Sequence, residues 1–171
     1  FSPNFCNLTG KKPQTSNAMR TIQTWLDEYG ESHQNPTNKL VHWICVPTIF
    51  FSISGLLYAI KLPVELWAGY PLNVAHVVLA LVLLYYLRLS VPLALGMALF
   101  AGFCFWLANL IEASGLNLPL TCVVLFVLAW IGQFWGHKVE GKKPSFLKDI
   151  QFLMIGPAWL MSFIYRRLGI R

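Results

Sequence analysis

The sequence predicts an all-α, polytopic membrane helical bundle, and three observations carry that prediction. Of 171 residues, 56% are hydrophobic and only 12% charged, about half the charged share of an ordinary soluble domain. The few charges cut the chain into long charge-free runs. The basic residues also collect at alternate boundaries of those runs, as they do in membrane proteins whose loops obey the positive-inside rule.

Four runs are long enough to cross a bilayer. They cover residues 40–60, 66–87, 89–111 and 113–137, and at 1.5 Å per residue each reaches the roughly 30 Å of a hydrocarbon core. Helix punctuation separates them: Asn35-Pro36 before the first, Pro63 and Pro71 between the first and second, Ser90 and Pro92 at the third, and Gly115 to Pro119 before the fourth. Short connections imply antiparallel neighbours. A fifth run, 150–165, is shorter and carries Gly156-Pro157 at its middle; a bent or re-entrant helix is expected there, because proline removes a helix hydrogen bond. Before the first span, Ile22, Trp25, Leu26 and Tyr29 recur at helical spacing, which predicts an N-terminal amphipathic helix on the membrane surface. Residues 1–18 contain no apolar stretch and are expected to be a disordered tail or upstream segment ahead of a single integral-membrane domain, 19–171.

Arg20, Lys39, Arg88, Lys138, Lys142, Lys143, Lys148, Arg166, Arg167 and Arg171 fall on one side of this topology and Lys61 alone on the other. Both termini are therefore expected to be cytoplasmic. The net charge of +6 marks helix flanks and not a nucleic-acid surface, since no basic stripe on a soluble fold accompanies it. The predicted setting is a multi-pass protein of a bacterial inner membrane, or of the endoplasmic reticulum in a eukaryote. Cys6, Cys45, Cys104 and Cys122 form no paired motif, so they are expected to pack as small hydrophobes. Trp43, Trp67, Tyr85, Tyr86, Trp135 and Tyr165 lie near span ends, where amphipathic rings settle. Ala94, Ala98 and Gly102 offer a small-residue spacing that lets helices approach.

Sidedness turns position along each run into depth. His33 and His42 precede or enter the first span and His137 leaves the fourth on the same side, whereas His76 begins the second span from the other side. Polar groups at membrane depth face the bundle interior and are functional candidates by default. Gln133, His137 and Glu140 share one helix face, and Asn38 and His42 are four residues apart. Histidines with one carboxylate suit a non-haem ferrous centre. Asn35 and Asn38 have an ordinary explanation as helix caps, Asn35 preceding Pro36; they can also orient His33 or His42. His76 is expected to be an interfacial or hydrogen-bonded ring.

Two motifs extend this reading. Tyr29, His33, Asn35, Pro36, Asn38, His42 and Pro47, followed by Trp130, Gln133, Phe134, Gly136, His137 and Pro144, resemble the signatures of the MPO-type 2-hydroxy fatty acid dioxygenases, over essentially Met19 to Arg171. The resemblance implies an iron(II)-dependent enzyme that shortens 2-hydroxy fatty acids by one carbon with molecular oxygen, as in phytosphingosine breakdown. It carries His33, His42 and His137 over as catalytic residues and metal ligands; the helix-face reading adds Glu140 as a further ligand candidate, and Tyr29, Asn35, Asn38 and Gln133 are supporting residues. Two departures stand out: fungal members place glutamate four residues after the last motif histidine, whereas Glu140 comes three after, and a further histidine near the end of their third span is replaced here by Glu112-Ala113. Besides the Fe(2+) dioxygenase, two other classes remain open: a zinc-dependent membrane lipid hydrolase on the same ligands, and a non-enzymatic lipid-binding membrane protein in which the histidines only hydrogen-bond.

Overall fold

The structure, a computed structural model, describes residues 34–67 and 69–141 together with Met161, Ile164, Tyr165, Arg167 and Gly169. The expected tail, the amphipathic helix, Tyr29, His33 and most of the 150–165 segment lie outside the described residues. The order of elements is α1 (Pro36–Tyr58), β1 (Lys61–Trp67), β2 (Tyr70–Asn73), α2 (Val74–Leu89), α3 (Val91–Ala113) and α4 (Leu118–Glu140).

Three helices, α1, α3 and α4, are long and apolar enough to cross a membrane, and α2 is a shorter apolar helix. Their outward faces are apolar, with Leu99 78% exposed and Leu40, Leu81, Leu120 and Leu128 also bare. Surface of that kind belongs in lipid and not in water.

The second run departs from expectation. Its first eight residues do not form helix: Lys61–Trp67 and Tyr70–Asn73 pair as an antiparallel hairpin, in a register of Lys61 with Asn73, Glu65 with Pro71 and Trp67 with Tyr70. The two prolines that mark the boundary in the sequence explain the difference. Pro63 and Pro71 cannot sit inside a continuing helix, yet both are tolerated in a two-stranded ribbon whose outer edges need no partner. What remains, α2, has 16 residues and spans about 24 Å, so four full spans reduce to three long helices and a shorter one. The described residues are thus mostly helical, with a small two-stranded hairpin that the expectation of an all-α bundle did not include.

Asparagines start two of the helices that follow. Asn73 accepts the His76 amide at 3.2 Å and Asn117 the Leu120 amide at 3.0 Å, filling donors that a helix N-terminus leaves unpaired.

Helix α1 is central, with α4 along one side and α2 and α3 on the other. Three glycines bring α1 and α4 together. A Cβ on Gly136 would overlap the Asn38 side chain, one on Gly132 the Cys45 thiol, and one on Gly55 the Cys122 thiol. Positions early in α1 therefore meet positions late in α4, and the two helices run antiparallel. Cys45 and Cys122 are buried free thiols in these contacts and Cys104 of α3 is another, packed near Phe51 and Tyr58, as small hydrophobes should be. Tyr86, expected as an interfacial ring, is instead buried with Leu93, Ala94 and Met97 where α2 turns into α3. Gly102 faces outward with nothing near it in this chain, whereas Ala94 is buried against Tyr86, Leu93 and Met97. Tyr165 donates to the Pro92 carbonyl at 2.5 Å, which puts it at the end of the bundle from which α4 leaves.

Candidate functional site

The antiparallel pairing of α1 and α4 determines which sequence-predicted residues meet. His42 lies two turns into α1 and His137 one turn from the end of α4, and their rings stand 5.1 Å apart, centre to centre, at 84°. Both are buried, His42 at 1% exposed and His137 at 4%. Asn38, one turn before His42, is 0% exposed, and Gln133, one turn before His137, is also buried. This is a dense polar cluster within an otherwise apolar bundle, where each polar group is costly unless partnered.

His42 is oriented by its own helix. Its Nδ1 lies 2.9 Å from the Asn38 carbonyl oxygen. A carbonyl only accepts, so Nδ1 carries the proton and Nε2 carries the lone pair in the neutral ring. That is the tautomer a metal-binding imidazole adopts when a backbone carbonyl supports its other nitrogen.

Glu140 closes the cluster from above. Its carboxylate accepts the backbone amides of Gln34 at 2.9 Å and Asn35 at 2.9 and 3.2 Å, and the Asn38 side-chain amide at 3.1 Å. Both oxygens are engaged in tying the start of α1 to the end of α4. A carboxylate at a helix N-terminus is also favoured by the helix dipole. Asn35 is the N-cap the sequence implies, accepting the Thr37 amide at 2.9 Å. Asn38 is no cap: it bridges His42, through its carbonyl, and Glu140, through its side chain.

A nitrogen ligand about 2.0–2.1 Å from an ion holds its ring centre roughly 3 Å from it, so a ring spacing of 5.1 Å is one that two imidazoles on a shared ion could have. Two imidazoles do not complete a ligand set, and among the described residues no group of three or more His, Cys, Asp or Glu side chains is placed to hold a metal. His33, the third histidine of the sequence motif, lies outside the described residues.

His76 is at the opposite end of the bundle, as its sequence position implies. Its ring is half-buried near the start of α2, its Nδ1 has no hydrogen-bond partner among the described residues, and it packs on Phe105 at 4.9 Å, Tyr70 at 5.7 Å and Tyr58 at 6.2 Å. Around it, the Tyr58 and Tyr70 hydroxyls are 3.0 Å apart, and Lys61 Nζ lies 3.1 Å from Glu112 and 4.0 Å above the Tyr58 ring. Sequence reasoning missed this second cluster. It depends on the hairpin returning Tyr70 to Tyr58, which helical periodicity did not reveal.

The fold and its apolar helices define a membrane-associated helical protein. The chain belongs to the Mpo1-like family: the family described as 2-hydroxy-palmitic acid dioxygenase Mpo1-like matches residues 19–168. One relative is the Saccharomyces cerevisiae protein named 2-hydroxy-palmitic acid dioxygenase MPO1, 31% identical over 153 residues, which cover 86% of this chain and 82% of the yeast protein. No solved structure matches the chain.

Proposed function

We propose that this protein is an iron(II)-dependent dioxygenase that shortens 2-hydroxy fatty acids by one carbon, with His42 and His137 holding the metal. The observation that carries the reading is the buried His42–His137 pair, 5.1 Å apart, in a chain that shares a family with a 2-hydroxy-palmitic acid dioxygenase. His33 is the third ligand in this proposal. Glu140 serves as a positioning residue, because its oxygens are already shared among Gln34, Asn35 and Asn38.

Bound iron would supply a place for oxygen and for the hydroxy-acid head together. The protein's part is to hold and shield. The Asn38 carbonyl fixes the His42 tautomer, the Glu140 clamp holds α1 and α4 in register, and the apolar helix faces exclude water. The reaction balances with oxygen alone: converting the hydroxyl-bearing carbon to a carboxyl and releasing the old carboxyl as carbon dioxide removes four electrons, which one O2 accepts. Lys39, Arg88 and Lys138 cluster at the histidine end, and the positive-inside rule turns that end toward the cytoplasm. The substrate head would approach from there with its chain in the bilayer.

Anaerobically purified protein, reconstituted with ferrous iron and given 2-hydroxyhexadecanoic acid, is expected to consume oxygen and yield the fifteen-carbon acid. Turnover supported by zinc without oxygen uptake would instead indicate hydrolysis.

A further inference from the structure

A cavity of about 190 Å3 lies between α1, α2 and α3, lined by neither His42 nor His137. One water needs only about 10–15 Å3 of such space, so several methylene groups fit. Its walls include Phe50, Ile53 and Leu57 of α1, Val82 of α2, and Ala101 and Phe105 of α3. They are almost wholly apolar. The hollow is partly open, and apolar walls left without facing atoms lose packing contacts, which makes an apolar occupant the natural one.

Its depth is informative. Phe50 follows His42 by eight residues and Leu57 by fifteen, so the cavity begins about 12 Å and ends about 22 Å along α1 from the histidine. Ile53, eleven residues on, projects from nearly the same helix face as His42, since eleven residues make close to three turns; it packs toward Cys45, Ile49 and Ala129 on the α4 side and also lines the cavity, so it stands between the histidine seam and the hollow. The far end meets the His76 cluster. Ala75 and Phe105 line it, and Phe105 packs at 5.5 Å on Tyr58 and 4.9 Å on His76, behind which the Lys61–Glu112 pair and the Tyr58–Tyr70 contact tie down the hairpin.

We infer that this cavity receives the distal acyl chain of the substrate and that Ala101 and Ala75, 1% and 3% exposed, set the chain length accepted. The inference rests on the proposed function, which places the acid head at the histidine pair. An extended chain advances about 1.3 Å per carbon, from ordinary C–C lengths, so a sixteen-carbon acid ends roughly 18 Å from its head, inside the cavity. A ten-carbon acid ends before reaching it. Transfer from lipid tails to an apolar pocket brings no hydrophobic gain; length is read by packing alone, rewarded when the void fills and penalised when the floor is struck.

Two measurements test this, and they separate it from the reaction assignment. The first is photo-crosslinking with a sixteen-carbon 2-hydroxy acid carrying a diazirine near its methyl end. Label on cavity-lining residues such as Ile53, Ala101 or Phe105, lost in Ala101→Leu, is the expected result, and it stands even if no turnover is found. Label confined to lipid-facing residues such as Leu99 overturns the inference, whatever the activity. In the second, Ala101→Leu should lower the kcat/KM ratio of the sixteen-carbon over the ten-carbon acid by about tenfold or more, and Leu57→Ala should shift the optimum to longer acids. Unchanged ratios in an active enzyme overturn it.

Discussion

At one end of the bundle, His42 and His137 face each other across a helix pair, surrounded by Asn38, Gln133 and Glu140. At the other, His76 is enclosed by Tyr58, Tyr70 and Phe105, and the charges pair off at half-exposed positions as Lys61 and Glu112. The same residue types produce different devices. At the first end, a carboxylate accepts amides from the opposite helix terminus and the polar groups support one another. At the second, a ring stands among aromatic faces and the ion pair fastens a hairpin. A histidine in a membrane helix therefore does not announce chemistry; what its neighbours do with its nitrogens decides.

That contrast can be broken most severely by truncating the rings. His42→Ala or His137→Ala is expected to lower oxygenase turnover by about a hundredfold or more, beyond the loss usual for residues that only support a metal ligand, while His76→Ala retains measurable turnover. Comparable losses from all three would erase the distinction between the ends. Next in size is the Glu140 clamp. Glu140→Ala leaves several partly buried donors without their acceptor and should cost about 2 kcal/mol, read as thermal unfolding in detergent. Glu112→Ala, which removes a half-exposed pair, should cost less than about 1 kcal/mol. A smaller contrast concerns the helix contacts: Gly136→Ala places a methyl group against Asn38 and Val41 and should destabilise by about 1–3 kcal/mol. Gly102→Ala meets open space and should stabilise its helix by about 0.5–1 kcal/mol.

Much of this was legible in the sequence because depth and helical period are one-dimensional properties. The charge-free runs located α1, α3 and α4, and the return of the chain to its starting side placed His137 beside His42 and His76 apart from them. The hairpin was not legible, since Val64, Leu66 and Trp67 continue the hydropathy of the helix that follows and only Pro63 and Pro71 signalled a break. Asn38 and Glu140 were noticed as polar residues in the right region, but their mutual hydrogen bond depends on the close approach that Gly136 permits. The apolar cavity has no sequence signature at all, being a property of three helices together.

The account rests on one ion being shared by His42 and His137, and ferrous iron titration of the purified protein tests this directly. The predicted result is near one-to-one binding in the wild type, lost in each single alanine variant and reduced no further in the double variant, as groups acting on one ligand behave. Wild-type iron binding in either single variant would contradict it.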